Sequence, residues 1–288
     1  MASMRYTIKQ MRAQFPDDNA CLQFLLDRRY GKIKTCPKCG TVGAKFYRVR
    51  GRMSFVCKEC RHQIYPLAGT IFEKSTTSLT DWFYAIYLFS VSKNGVSAKE
   101  LERHIGVSYK TAHRMEKMIR TLMHEWERLG DLGTPIEIDE VFIGGRRKQS
   151  EVRDSKTPII AALEVGGHVR TAVIPKATTK HAMPFVEAHV KVGSTLHTDE
   201  SKIYKTHKVK AFYNHASIRH IAMEFSKDGV TTNHVEGFFS QLSRSLDGTY
   251  HCVSPRWLAS YAAEFAFRYN HRAEPIFQLL LAKAATRV

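Results

Sequence analysis

Two short stretches, Cys36-Pro-Lys-Cys39-Gly40 and Cys57-Lys-Glu-Cys60, decide how the first part of this 288-residue chain folds. Structural zinc takes four soft or borderline ligands in a tetrahedron, and two short turns that each supply two thiolates give that geometry with little strain. Between the two pairs, residues 45–56 alternate in polarity like a hairpin that turns at Arg50-Gly51. This pattern predicts a zinc ribbon over residues 31–72, with Zn²⁺ bound as a structural ion by Cys36, Cys39, Cys57 and Cys60.

Structural disulfides and a redox Cys-x-x-Cys are the alternatives for these cysteines. The first is typical of secreted chains and the second of a βαβ unit. Neither a signal peptide nor a βαβ pattern is recognisable around either pair, so zinc is favoured. The other two cysteines, Cys21 and Cys252, are expected to be ordinary buried thiols, and this cysteine usage predicts a reducing, cytoplasmic location.

The charge of the chain points to a polyanionic partner. Lys and Arg number 44 against 27 acidic residues, a formal net charge of +17. Such a surplus causes self-repulsion unless a polyanion meets it, so DNA or RNA is the leading prediction. An anionic membrane surface is the alternative, but no basic amphipathic helix, lipidation signal or run of eighteen apolar residues supports it. We therefore expect no membrane partner.

Two helices around a glycine follow the ribbon. After a helical lead-in over residues 1–30 and the ribbon, residues 78–130 read as helical. Ser97 and Ser108 each precede a helical pattern, and Gly106 separates them, which predicts a helix-turn-helix. The exposed face of its second helix would enter a major groove with Tyr109, Lys110, His113 and Arg114. The alternative is a plain helical hairpin that packs one domain on another.

After residue 134 the pattern changes to strands. Ile136–Ile143 alternates as a strand and leads into a basic turn with Arg146, Arg147 and Lys148, which we expect to contact DNA. A hairpin, a helix, a short strand and final helices follow, over residues 159–165, 169–174, 176–190, 195–199, 232–246, 255–270 and 275–286. This order predicts an α/β ribonuclease-H-like domain over residues 134–288.

Acidic residues recur at key positions of that order. Asp139 lies within the first strand, Asp199 closes a later strand, and Glu236 lies near the start of a helix. A single acid is usually solvated or caps a helix, but a buried type of strand seldom carries three acids, as this one does at Glu137, Asp139 and Glu140. Clustered carboxylates are tolerated where divalent cations neutralise them. Two Mg²⁺ ions, or Mn²⁺, would suit oxygen ligands and phosphoryl transfer.

Four blocks of sequence resemble the insertion-sequence DDE transposases of the ISXO type. They begin with Ile138-Asp-Glu-Val-Phe-Ile-Gly-Gly145 and His197-Thr-Asp-Glu-Ser-Lys-Ile-Tyr204. Thr232-Asn-His-Val-Glu-Gly-Phe-Phe-Ser240 is the third, and the tail Gly248-Thr-Tyr-His251 with Glu264–Arg272 is the fourth. That family combines a zinc ribbon, a helical DNA-binding segment and a catalytic domain, so the resemblance covers nearly the whole chain.

The resemblance implies which residues are catalytic. Asp139 and Asp199 correspond to the two catalytic aspartates, which would bind Mg²⁺, and the third ligand falls at Asn233 or Glu236. A spacing of three puts both residues on one helical face. Glu236 is the better ligand because it is charged, whereas Asn233 would ligate through its amide oxygen or orient DNA.

One position departs from the family pattern. The family commonly has a lysine seven residues after the glutamate, where this chain has Ser243. Arg244 follows but points about 100° away on an ideal helix. We include Arg244 among the predicted DNA contacts. Phe239, where tryptophan is common, is a milder change.

These observations predict a transposase that binds the terminal inverted repeats of an insertion sequence. It would cleave double-stranded DNA and join the ends to a target, and pairing two ends implies at least a homodimer. The alternative is a domesticated or decayed element protein that acts as a DNA-binding regulator without catalysis, which Ser243 favours. A resolvase-like or RNA-directed nuclease on the same fold is a further alternative, against which the motif order argues.

Overall fold

The computed structural model describes residues 6–31, 34–144, 156–218 and 230–286. The chain forms two compact units, one of residues 1–122 with 273–288 and the other of residues 123–272. The second unit thus ends earlier than the predicted domain 134–288. The last helix predicted for that domain, over residues 275–286, belongs to the first unit instead. It packs on the helix Leu79–Val91, where Phe277, Leu280 and Leu281 are buried.

The first unit combines helices with a small antiparallel sheet, in the order β1-β2-β3. Its elements are α1 (Ile8–Gln14), α2 (Asp18–Tyr30), β1 (Phe46–Arg48), β2 (Phe55–Cys57), β3 (Gln63–Ile64), α3 (Leu79–Val91), α4 (Ala98–Ile105), α5 (Tyr109–Thr121) and, at the end of the chain, α10 (Ile276–Ala284). The predicted hairpin between the cysteine pairs is present as β1 and β2.

Side-chain caps fix where the helices of the first unit begin. Ser97 accepts the N–H of Glu100, and Ser108 accepts that of Thr111, so both residues are the N-caps that the sequence predicts. Gly106 ends α4 at φ +78°, a left-handed conformation that glycine adopts without strain. The two helices and their turn are therefore present. Their use as a DNA-binding module stays a prediction.

The second unit is built on a five-stranded mixed sheet, in the order β6-β5-β4-β7-β8. Its elements are β4 (Ile136–Ile143), β5 (Thr157–Glu164), β6 (Val169–Val173), α6 (Thr179–His189), β7 (Thr195–Thr198), α7 (His207–Phe212), β8 (Asn214–Ser217), α8 (Asn233–Ser245) and α9 (Pro255–Asn270). Strand β5 pairs antiparallel with both β4 and β6, whereas β7 pairs in parallel with β4 and β8 in parallel with β7. This mixed α/β unit is consistent with a ribonuclease-H-like fold.

Strand β8 and helix α7 were missing from the predicted order. The sequence of β8, Asn-His-Ala-Ser, has no apolar alternation, and its side chains are exposed or half-buried at the edge of the sheet. Edge strands of this kind leave little hydrophobic signal, because only one side of the strand has a neighbour in the sheet.

Alternation along β4 divides its side chains between two cores. Ile136 and Ile138 are fully buried in the core that contains α6. The residues between them face the other core, where Val235 and Phe238 of α8 pack with α9 against β5. Glu137 and Asp139 therefore lie on the α8 side of the sheet, and Glu140 lies on the α6 side.

In the described residues no helix is both long and apolar enough to cross a bilayer.

A polar cluster ties the start of the second unit to the end of α9. Asn270 donates to Glu125 Oε2 at 2.7 Å, and His271 Nε2 lies 2.5 Å from Glu125 Oε1. Arg170 Nη1 lies 3.4 Å from Glu125 Oε2. Burial raises the pKa of Glu125, but the hydrogen bonds from His271 and Asn270 outweigh it and lower the pKa to about 2.

This cluster should make the stability of the protein depend on pH. Because the pKa of Glu125 is lower in the folded state than its ordinary value of 4.5, its contribution is complete above pH 4.5 and is lost as pH falls toward 2. Glu125→Gln should lower the free energy of unfolding by about 1–3 kcal/mol at neutral pH. Urea unfolding of both proteins from pH 7 downward checks this. A difference that does not shrink below pH 4.5 would contradict it.

Candidate functional site

The four predicted zinc ligands come together in the first unit. The sulfur atoms of Cys36, Cys39, Cys57 and Cys60 all lie within 4.8 Å of one another. The Cys36 and Cys60 sulfurs are 3.6 Å apart, close to the roughly 3.8 Å expected between thiolates of a tetrahedral zinc site. No other such cluster of three or more ligands occurs among the described residues. The four thiols fit a structural Zn²⁺ ion.

Each cysteine pair sits on a tight turn whose last residue is left-handed. Gly40 follows the first pair at φ +70°, and its N–H donates to the carbonyl of Cys36 at 2.9 Å. Arg61 follows the second pair at φ +59°, and its N–H donates to the carbonyl of Cys57 at 3.1 Å. An arginine rarely adopts this conformation, so the second turn is held by its surroundings rather than by its own preference.

Parallel pairing of β4 with β7 brings the two predicted catalytic aspartates next to each other. Ile138 is in register with Thr198, so Asp139 and Asp199 follow at the same level at the ends of the paired segments. Both side chains are half-buried. Asp139 accepts the N–H of Glu140 at 2.8 Å, and Asp199 accepts the N–H of Ser201 at 3.0 Å. These bonds orient both carboxylates at the point where the pairing of β4 with β7 ends.

Glu140 and Tyr204 extend this acidic cluster, although no sequence pattern marks either residue as functional. The Tyr204 hydroxyl donates to Glu140 Oε1. Burial, together with the charges of Asp139 and Asp199, raises the pKa of Glu140 to about 7, against the lowering effect of the Tyr204 bond. Burial and the neighbouring carboxylates likewise raise the pKa of Tyr204 well above its ordinary value. The carboxylates are thus close enough to repel one another, a situation that a bound cation relieves.

The first turn of α8 carries both candidates for the third ligand. Asn233 is exposed at the first helical position, and its N–H donates to Thr231 Oγ1 at 3.1 Å. Glu236 is half-buried, and its Oε1 accepts the Thr232 hydroxyl at 2.6 Å. Thr232 therefore orients the side chain of Glu236 instead of capping the helix.

The donor set suits a hard divalent cation. Asp139, Asp199 and Glu236 all offer carboxylate oxygens, the ligands that Mg²⁺ prefers. Within the described ranges, only the four cysteines gather three or more ligand atoms within 4.8 Å. At least two of these three carboxylates therefore have their oxygens farther apart than that distance.

The predicted DNA contacts on α5 lie at the surface. Tyr109 is 47% exposed, and its ring stacks on that of His113 with centroids 5.9 Å apart. Lys110 is exposed. Arg114 is exposed too, and it donates to the carbonyl of Glu73 at 3.2 Å.

The remaining predicted contacts belong to the second unit. Arg146, Arg147 and Lys148 lie outside the described residues. Arg244 is exposed on α8 and donates to the carbonyl of Ser240 at 3.2 Å, while Ser243 is half-buried beside it.

The tail motif is a packing element. Glu264 is fully buried on α9, where Arg268 donates to its Oε1 at 2.7 Å and the Tyr250 hydroxyl donates to its Oε2 at 3.1 Å. The turn that contains Tyr250 is thereby attached to α9. Cys252, which we expected to be buried, is exposed just after this turn. Cys21 is buried as expected, and burial raises the pKa of its thiol to about 12.

Zinc content tests the cysteine cluster. The purified protein should hold one zinc ion per chain, and Cys57→Ala should lose it and unfold the ribbon, since such sites contribute roughly 10 kcal/mol. Elemental analysis and limited proteolysis measure the two effects. Cys252→Ser is the matched control, because its exposed thiol lies outside the cluster and zinc should stay bound. Equal zinc in both variants would refute the assignment.

Comparison with known proteins agrees with both parts of this arrangement. Residues 131–270 match the family model of the ISXO2-like transposase domain, and residues 16–63 match that of the transposase zinc-ribbon domain. A protein of Halobacterium salinarum, described as an uncharacterized protein in transposable element ISH50, is 25% identical over 276 residues, which cover 88% of this chain and 91% of that protein. With both of these transposase models matched, the chain belongs to the ISXO2-like insertion-sequence DDE transposases.

Proposed function

We propose that this protein binds the terminal inverted repeats of its insertion sequence and catalyses metal-dependent DNA cleavage and strand transfer. The observation that carries the proposal is the register of β4 and β7, which puts Asp139, within β4, beside Asp199, just after the carboxyl end of β7. Val235, in the same first turn of α8 as Asn233 and Glu236, packs in the core on the side of the sheet that Asp139 faces.

The side chains of the site have distinct tasks in this reaction. Asp139, Asp199 and Glu236 would hold Mg²⁺, with Mn²⁺ as a substitute, and two such ions would supply Lewis-acid chemistry: activation of an attacking hydroxyl and compensation of negative charge at the phosphate. Hydrogen bonds from backbone N–H groups hold the two aspartates, and the Thr232 hydroxyl holds Glu236. The Tyr204 hydroxyl donates to Glu140 Oε1 and so holds that carboxyl group in place.

The ribbon supports DNA as the partner. Residues 34–66 contain eight Lys and Arg against one acid, Glu59. Along the sheet, Tyr47 is in register with Val56 and Val56 with Gln63, and Tyr47 is 52% exposed. An exposed aromatic ring in a segment this rich in basic residues suits contact with a phosphate backbone. Together with the exposed face of α5, it would recognise the element ends.

Two further features of the proposal follow from the reaction. Two element ends must be held together before they are joined to a target, so at least a homodimer acts on DNA. Its substrate and its zinc-thiolate site both fit the reducing cytoplasm as the place of action.

Removing either aspartate should separate binding from catalysis. Asp139→Ala and Asp199→Ala should abolish cleavage of a duplex that carries the inverted repeats flanking the gene, yet leave its binding within a few-fold of normal. Gel-based cleavage and a DNA-binding titration measure both effects. Asp131→Asn is the matched control, because Asp131 is 71% exposed and pairs with Lys191.

Two results would count against the assignment. A variant that keeps substantial magnesium-dependent cleavage would exclude that aspartate as a ligand. A wild-type protein that binds the ends but never cleaves them would favour the regulator, to which the serine at position 243 already points.

Single-turnover cleavage at saturating Mg²⁺ compares the two candidates for the third ligand. Glu236→Gln should slow the reaction by several orders of magnitude, because a ligand carboxylate is lost where charge develops at phosphorus. Asn233→Ala should cost less, about 1–3 kcal/mol of transition-state stabilisation, if its amide only orients DNA. An inactive Asn233→Ala beside an active Glu236→Gln would make Asn233 the ligand.

A further inference from the structure

Helix α8 takes its N-terminal cap from the neighbouring strand β4. Its N-cap residue, Thr232, makes no capping bond with its side chain. The N–H groups of His234 and Val235 instead donate to Glu137 Oε2, at 2.8 and 3.0 Å. His234 Nδ1 lies 2.7 Å from Glu137 Oε1. One carboxylate thus satisfies two backbone donors that the helix itself leaves without partners.

Burial makes this cap strong. Glu137 is fully buried, and a buried carboxylate is tolerated only where hydrogen bonds or charges compensate for the lost water. Two N–H groups and the positive end of the α8 dipole supply that compensation. The strand therefore depends on the helix start, since the buried carboxylate has no water to replace the N–H groups.

A second buried side chain holds the residues just before the helix. His197 on β7 is in register with Glu137 and is only 5% exposed. Its ring hydrogen-bonds the backbone of Thr231. Nδ1 of the same ring has no hydrogen-bond partner in the part of the chain that the structure describes. Glu137 on β4 and His197 on β7, which are in register, thus both bind the segment from residue 231 to residue 235, where α8 begins.

This junction controls the distance between the ligands. Glu137 and Asp139 are two residues apart on one face of β4, or about 6.7 Å along the strand. Glu236 lies in the same first turn of α8 as the two capped N–H groups. Fixing that turn over Glu137 therefore fixes where Glu236 and Asn233 lie relative to Asp139.

We propose that Glu137 is a positioning residue of the active site, which sets the place of the third metal ligand by capping α8 from the adjacent strand. This inference rests on the proposed function, since it assigns a role in the same metal-dependent reaction. It differs from a general stabilising role in one respect. A misplaced ligand changes the magnesium requirement and the rate of cleavage, whereas a loss of stability alone changes neither in the fraction that stays folded.

Two substitutions of Glu137 distinguish the effect of its side-chain length from that of its negative charge. Glu137→Asp keeps the charge but is shorter by one methylene group, so its carboxylate no longer reaches both N–H groups. Glu137→Gln keeps the reach, because its amide oxygen can accept both N–H groups while its NH₂ faces His234. Positioning predicts that Glu137→Asp loses about 100-fold in single-turnover cleavage of the element ends, as a ligand displaced by about 1 Å would cause. Its half-saturating Mg²⁺ concentration should rise, and Glu137→Gln should retain most of the rate.

Glu164→Ala is the matched control. Glu164 is also buried, lies on the neighbouring strand β5 and accepts a backbone N–H, that of Leu132, at 2.9 Å. Its loss should lower the melting temperature without changing the magnesium requirement. DNA binding by all variants should stay within a few-fold of normal, because no phosphate contact is removed.

Hydrogen exchange gives a readout that does not need activity. The amides of His234 and Val235 should exchange faster in Glu137→Asp than in the wild type or in Glu164→Ala. If the wild-type protein does not cleave DNA, the proposed function fails, and exchange alone decides whether Glu137 fixes the helix start. Unchanged exchange, a normal rate and magnesium requirement in Glu137→Asp, or an equal loss in Glu137→Gln would each overturn the inference.

Discussion

The parallel pairing of β4 with β7 is the constraint on which the candidate active site depends. Side chains in register on parallel neighbours point to the same face, so the pairing of Ile138 with Thr198 carries Asp139 and Asp199 to one place. A parallel pair needs a crossover connection, and here the crossover runs through β5, β6 and α6. The fold therefore brings together two acids that are far apart in sequence, at the carboxyl end of β7, the kind of place where α/β sheets commonly bind ligands.

Crowding acids on adjacent positions of one strand has a cost, and the structure deals with each acid differently. Glu137 is buried but bonded to the N–H groups of α8. Glu140 accepts the Tyr204 hydroxyl, and its raised pKa reduces the charge that it contributes. Asp139 and Asp199 remain half-buried, where a cation can reach them. The face and depth of each side chain on β4 thus distinguish two kinds of acid. Glu137 and Glu140 support the fold, whereas Asp139 lies where a cation can reach it.

The sequence predicted what depends on local patterns. The bounds of β4 and α9 agree with the predicted strand 136–143 and helix 255–270, because apolar periodicity and a proline at the helix start mark them clearly. The roles of Glu137 and Tyr204 were out of reach. Glu137 meets the helix start 97 residues later, and Tyr204 meets Glu140 across 64 residues. No local pattern encodes such pairings, and an acid within a strand reads the same whether it caps a helix or binds a metal.

The four sequence blocks that carry the family resemblance therefore have two roles, since some supply residues of the candidate site and one supports the packing around it. The first three contribute the acids and the helix start at the candidate site. In the tail block, Glu264 is buried beneath Arg268 and Tyr250, and Asn270 bonds Glu125 and the backbone of Val169. Those contacts hold α9 against β6, and α9 in turn packs on α8. Residues remote from the chemistry can thus be as restricted in identity as the ligands, because a buried polar network tolerates few substitutions, and the position of α8 depends on that support as well as on its own cap.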